Sequence, residues 1–214
     1  IFLGGSVANF QRGFDRINVP SVLTTLVTDE LDFPNLSMVG VDDRAAAYTA
    51  VDYLIRQGHR KIAVLGGPVT SYPSLMRRQG AQQAMEDAGI VFNDKLYGLS
   101  NYDFESAYHA MNSLLARRAE FTALFAMSDV IAFGAIRALV SAGLRVPEDV
   151  SVIGFDGITM SRYCVPVMTT IVQPSEQIAL QSIELLVRQI EHGSSAQTVT
   201  LQPELQQGES VRAI

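Results

Sequence analysis

The sequence contains no tryptophan and only one cysteine, Cys164, in 214 residues. A lone cysteine excludes an intrachain disulfide framework and suits a reducing compartment. No apolar run approaches the roughly 20 residues that a membrane-spanning helix needs. The opening IFLGG run at 1–5 lacks the basic start and the length of a secretory leader. It reads as a strand interior, and the expectation is a chain that begins in mid-domain with more of the protein upstream. Positive charge is also short: 16 Lys and Arg stand against 22 Asp and Glu, for a net charge of -6 and a pI near 5.0. That balance opposes nucleic-acid binding by this chain, because phosphate contact needs a basic face. The basic pairs Arg60–Lys61, Arg77–Arg78 and Arg117–Arg118 are short and separate, and read as solvated helix ends.

Signs of enzyme chemistry are equally sparse. His59, His109 and His192 fall near helix termini or on polar faces without metal-ligand spacing. His59 follows a helix stop at Gly58, where a cationic ring is favoured by the helix dipole. Cys164 has no histidine nearby in sequence, and there is no Gly-x-Ser-x-Gly elbow. Gly66-Gly67 is followed by neither a Walker-type nor a dinucleotide-binding pattern, so it reads as a tight turn. No cofactor and no catalytic residue are expected.

What is present is the composition of a packed globular protein, with 48% hydrophobic and 18% charged residues. The most informative stretch is GLRVPEDVSVIGFD at 143–156. It combines a helix stop at Gly143, turn chemistry at Pro147 and Asp149, a buried strand at 150–155, and Asp156 at that strand's end. In open α/β sheets ligands bind outside the carboxyl ends of strands. A strand-end aspartate also caps turns, so Asp156 gains weight only with partners.

Strand and helix signals alternate along the rest. Residues 1–4, 19–27 and 36–41 look extended, and Asp42 or Asp43 can cap a helix with Ala47, Val51, Leu54 and Ile55 on one stripe. A strand at 62–65 precedes a helix carrying Ala81, Ala84, Met85 and Ala88 on one face. A strand at 96–99 precedes a helix with Ala107, Tyr108, Met111, Leu114 and Leu115. A strand at 123–126 precedes one with Ala132, Phe133, Ile136, Leu139 and Val140. After the 150–155 strand come 168–172, a long helix from Ile178 to a break at 193–195, and a last strand signal at 198–201. Repeated β-α units of this kind predict a doubly wound parallel sheet with right-handed crossovers.

From Val41 onward the chain resembles the effector-binding core of the lactose/galactose-repressor family of bacterial transcription regulators. The resemblance is carried by Val41-Asp42, YLIRQGHRKIAVLGGP at 53–68, Arg77 with Gly80, AMSD at 126–129, GLRVPED at 143–149, GFD at 154–156 and TTIVQP at 169–174. It covers essentially the whole chain in the family's order and spacing. Family members carry a helix-turn-helix headpiece and about half of an N-terminal subdomain ahead of the point matching Ile1, and the segment at 29–34 is slightly long.

The resemblance implies two doubly wound α/β subdomains of the periplasmic-binding-protein-like type joined by three crossovers, the N-terminal one truncated. It places 1–39 and 173–196 in the N-terminal subdomain and 40–172 with 197–214 in the other, the crossovers acting as hinges around a ligand cleft. It implies an effector-binding arginine at Arg77, in the first turn of its helix, paired with Asp156. A guanidinium offers a rigid fork of donors, and a carboxylate accepts from ligand hydroxyl or amine groups. Tyr102 matches an aromatic position that lays a flat ring on a ligand. Ser128 aligns with a polar contact, while Asp129 beside it caps the following helix. Gln173 falls at a crossover, Ser71 lies in the variable loop that sets specificity, and Thr25 is a weaker candidate.

The implied function is the sensing core of a cytoplasmic repressor. It would bind a small polar effector, a sugar or related metabolite, assemble as a homodimer with the 130–140 region contributing, and reach operator DNA only through a headpiece outside this chain. The alternative is a transport-linked sugar-binding protein of similar architecture. The GHRKI run at 58–62 and the VPEDV run at 146–150 argue against it.

Overall fold

The computed structural model describes residues 1–4 and 6–214; Gly5, the end of the opening IFLGG run, lies outside the described residues. The chain forms two compact units. One comprises Ile1–Asp42, Thr70–Pro73 and Pro174–Pro203, and the other Asp43–Val69, Ser74–Gln173 and Glu204–Ile214.

The smaller unit is built on a four-stranded parallel sheet in the order β1-β2-β3-β9. Its strands are β1 (Phe2–Leu3), β2 (Ser21–Thr24), β3 (Leu36–Val41) and β9 (Thr198–Leu201). The pleat sends alternate residues to opposite faces. Leu23, Leu36 and Met38 pack with Val7, Phe14 and Leu31. Val22, Val39 and Val41 pack instead against Ile178 and Leu185 of α6 (Ser175–His192). The short helix α1 (Val7–Gly13) follows β1. The strand signal at 198–201, expected in the C-terminal subdomain, instead pairs in parallel with β3, Met38 opposite Thr198 and Val41 opposite Leu201. Its alternating exposed and half-buried residues are those of an edge strand, a pattern that names no partner.

The larger unit holds a six-stranded sheet in the order β10-β8-β7-β6-β4-β5. Its strands are β4 (Ile62–Gly66), β5 (Tyr97–Leu99), β6 (Ala123–Ala126), β7 (Ser151–Asp156), β8 (Thr169–Val172) and β10 (Glu204–Gln206). Every residue of β4 and β6 is buried, as expected for parallel strands covered on both faces. The covering helices are α2 (Asp43–Arg56), α3 (Tyr72–Asp87), α4 (Phe104–Ala116) and α5 (Asp129–Ser141). Fully buried side chains include Leu54, Leu65, Met85, Met111, Leu114, Leu124, Phe125 and Phe155. Each such residue contributes roughly 1.5–3 kcal/mol through the water it no longer meets. At Gly80 the backbones of α3 and α2 touch: a Cβ there would lie 2.0 Å from the Arg44 carbonyl oxygen.

Two details depart from the sequence reading. The strand β10 was not anticipated, and it pairs antiparallel to β8 at the sheet edge. His59, expected as a cation on a helix dipole, is buried between the Thr122 hydroxyl at 2.9 Å and the Arg212 carbonyl at 3.1 Å. Burial lowers its pKa and favours the neutral ring, which braces the C-terminal tail. No helix among the described residues is long and apolar enough to cross a membrane.

Candidate functional site

The sheet of the larger unit reverses its winding at β4. The chain runs from β4 outward to β5, then returns to the other side of β4 as β6. Such a switch point leaves a crevice at the carboxyl ends of the two strands, the usual ligand position in open α/β sheets. At this crevice β4 ends in Gly66-Gly67 and β6 runs into Met127-Ser128.

Arg77 closes the crevice. It lies in the second turn of α3, one turn later than the sequence reading placed it, and is only 6% exposed. Its Nε donates to Asp43 Oδ1 at 2.7 Å and its Nη1 to the Met127 carbonyl at 2.5 Å. The same Nη1 stands 3.7 Å from Asp156 Oδ1, and the guanidinium carbon sits 3.6 Å from the centre of the Phe155 ring. Burial opposes the charge, but Asp43 and then Asp156 outweigh it and raise the pKa of Arg77. A solvated helix end, the reading for the Arg77–Arg78 pair from sequence, does not describe Arg77.

Asp156 ends β7 with φ at 112°, a left-handed conformation that costs a non-glycine residue about 1–3 kcal/mol. Gln173, just beyond β8, holds it twice. The Gln173 amide N–H donates to the Asp156 carbonyl at 3.0 Å, and Nε2 donates to Oδ1 at 2.7 Å. Among the described residues no donor reaches Oδ2. Burial pushes the Asp156 carboxyl up, while Arg77 and Gln173 pull it down; the net direction is up. Arg77, Asp156 and Gln173 thus form one cluster, an ion pair on one side of Asp156 and a hydrogen bond on the other.

Tyr102 joins through a residue the sequence reading missed. Its hydroxyl lies 2.6 Å from Ser74 Oγ, which also accepts the Gly67 N–H at 3.1 Å. Ser74 precedes Arg77 by three positions, so helical spacing puts both on one face of α3. Gly67 is not a tight turn residue but a close-packing one: it lacks a positive φ, and a Cβ there would meet the Tyr102 ring.

Ser128 takes the capping part expected of Asp129. Ser128, 3% exposed, is the N-cap of α5, its Oγ accepting the Ile131 N–H at 3.1 Å. Its hydroxyl oxygen is engaged in capping. Asp129 turns inward, accepting from the Thr170 hydroxyl at 2.6 Å and the Ile158 N–H at 2.8 Å. Ser71 is half-buried and groups with the smaller unit, as does the exposed Thr25 at the end of β2.

A periplasmic binding protein-like domain model matches residues 51–211. The chain belongs to that family. Within the periplasmic binding protein-like family its relatives are transcription regulators, not enzymes. It is 37% identical over 212 residues to the HTH-type transcriptional regulator MalR of Clostridium butyricum, covering 98% of this chain and 63% of MalR. It is 35% identical over 207 residues to the HTH-type transcriptional repressor PurR of Haemophilus influenzae, 94% of this chain and 62% of that protein. Among solved structures, the transcriptional regulator CelR–cellobiose complex superimposes with a TM-score of 0.90 at 30% identity, covering 98% of this chain and 64% of CelR. A sugar-binding LacI-family regulator from Escherichia coli, complexed with phosphate, gives 0.83 at 31%, covering 98% and 74%. The expected repressor-type recognition and the α/β periplasmic-binding-protein-like fold both stand. The chain spans less than two thirds of the length of the curated relatives it matches.

In this family setting Asp43 is the second residue that sequence reasoning undervalued. One of two candidate helix caps in the sequence, with Asp42, it is the nearest anion to Arg77, at 6% exposure. The two are 34 positions apart, so no local pattern announces the pair.

Proposed function

We propose that this chain is the effector-sensing core of a repressor-type regulator and that its larger unit offers Arg77, Asp156, Gln173 and Tyr102 to a small hydroxyl-rich effector, a sugar. The observation that carries this is the Asp156 carboxylate. Its Oδ1 accepts the Gln173 hydrogen bond and faces Arg77 at 3.7 Å, at the carboxyl end of β7, and Tyr102 lies near the same guanidinium. A fixed acceptor next to a flat apolar ring suits ligands that pair hydroxyl donors with a C–H face. Cellobiose in the CelR complex is a ligand of that kind. Ser71, in the segment after Pro68, is the proposed specificity position.

DNA contact is assigned to parts of the protein beyond these residues, in keeping with the net charge of -6. A cytoplasmic setting and a homodimer follow from the same reading. Exposed Phe104, beside the ring of Phe133, and exposed Val140 offer the larger unit apolar surface for a second copy. The effector acts by favouring one conformation over another, since equal affinity for both shifts nothing.

Calorimetric titration of cellobiose and ribose into the wild type, Arg77→Ala and Asp156→Ala tests the site. Binding by the wild type and at least about tenfold weaker binding by both variants is expected, the cost of one lost charged hydrogen bond. Undiminished affinity in both variants overturns the assignment.

A further inference from the structure

Asp129 has the setting of a functional group without yet having a function. It is fully buried, and no cation stands within ion-pair distance of it among the described residues. An uncompensated buried carboxylate is costly, and an apolar residue of similar volume would be cheaper. Helix capping does not explain it, because Ser128 caps α5. Its bonds lead elsewhere. Oδ1 accepts the Thr170 hydroxyl from β8, and Oδ2 accepts the Ile158 N–H, with the Gly157 N–H also donating to the carboxylate. Those two amides belong to the turn directly after Asp156, where φ is positive at both Asp156 (112°) and Gly157 (71°). The seat is made by Gly154, since a Cβ there would lie 2.2 Å from Asp129 Oδ1.

We propose that Asp129 is a positioning residue for the effector site: by holding the Gly157–Ile158 turn against Thr170, it sets the angle at which Asp156 presents its carboxylate. This rests on the assignment of Asp156 to the effector. The arrangement gives the glycine of the GFD motif and the aspartate of the AMSD motif a shared purpose, since one makes room for the other.

The hold is also titratable. Burial pushes the Asp129 carboxyl up to about 6, against the Thr170 and Ile158 hydrogen bonds, and Asp156 pushes it further up. The other charged or titratable groups around it are Cys164, from the segment before β8, and, through Asp156, Arg77 and Asp43 from α3 and α2. Protonation turns one acceptor oxygen into a donor, so the carboxyl can no longer serve the same set of donors.

The test uses the 214-residue chain, first without ligand. NMR follows the Asp129 carboxyl carbon and the Gly157 and Ile158 amides from about pH 5 to about pH 8, in the wild type, Asp129→Asn and Thr170→Val. The amides are expected to shift with the same midpoint as the Asp129 carboxyl. In Asp129→Asn they should exchange with solvent at least about tenfold faster, with the titration of Asp156 displaced. Thr170→Val should raise the Asp129 midpoint, because a bond to the charged form is lost. Amides that ignore the titration, or exchange unchanged in Asp129→Asn, overturn the proposal. If Asp129→Asn does not fold, the wild-type titration and Thr170→Val decide. Cellobiose titration forms the second arm: affinity should fall as the wild type is taken below about pH 6 and stay level in folded Asp129→Asn. Absence of cellobiose binding by every form counts against the sugar reading alone, because the amide measurements judge Asp129 without it.

Discussion

The ring of Tyr102 occupies the space that a side chain at Gly67 would need: a Cβ there would stand 2.1 Å from Tyr102 Cε2. The same Cβ would lie 2.5 Å from Ser74 Oγ, so a single methyl group displaces both members of the Ser74–Tyr102 hydrogen bond. Gly67→Ala should therefore fold, with the ring expelled, and lose about 1–3 kcal/mol from overpacking. Urea unfolding measures the loss, and a changed Tyr102 ring resonance locates it. An unchanged resonance would contradict the close packing.

Replacing Arg77 by methionine leaves Asp43 buried without its counter-charge and Asp156 without its cation. Such breakage costs about 3–5 kcal/mol. Arg77→Lys should recover only part, because a point charge cannot keep both the Asp43 and the Met127 contacts. A double variant, Asp43→Asn with Arg77→Met, should be more stable than Arg77→Met alone. Equal stability of the single and double variants in urea would mean that the pair is not coupled.

Asp129 and His59 should tilt the pH dependence of stability in opposite directions. The Asp129 carboxyl lies at about 6 in the folded chain against an ordinary 3.8. The native state thus binds the extra proton, and stability falls as pH rises from about 4 to about 6, by on the order of 3 kcal/mol. His59 is lowered from 6.5, so its contribution is present above that value and is lost as pH falls below it. Asp129→Asn should remove the first slope and His59→Phe the second. Unfolding free energies that keep the wild-type pH profile in both variants would contradict these assignments.

Gln173 is the test of how Asp156 is held. Gln173→Ala removes the donor to Asp156 Oδ1 but keeps the backbone bond. Effector affinity should fall about tenfold with little loss of stability, one charge-assisted bond being worth about 1.5 kcal/mol. Gln173→Glu puts a like charge in the same place and should weaken binding further. Calorimetry with a ligand that the wild type binds reads both effects.

Much of this was legible in the sequence because β4 and β6 are uninterrupted apolar runs, β7 is largely apolar, and ordered motifs carried the family's spacing. Asp156 was visible as a strand-end carboxylate, and Arg77 as the arginine before Gly80. What escaped depended on contacts distant in sequence. Asp43 meets Arg77 across 34 positions, and Asp129 meets Thr170 across 41. Ser128 and Asp129 are both good N-cap residues, so choosing between them required knowing that Gly154 opens a space for the second. The strand β10 has three residues and only half-buried or exposed side chains, too little for a periodic signal.

The contact of α2 and α3 at Gly80 bears on which parts of this site can transmit a signal. A Cβ at Gly80 would lie 2.0 Å from the Arg44 carbonyl oxygen, so the helices that carry Asp43 and Arg77 pack backbone to backbone. Of the two carboxylates beside the arginine, one is bolted to the same frame and the other ends a strand on a strained turn. On the proposed reading, signal transmission falls to Asp156, since Arg77 shares the frame of its own counter-ion.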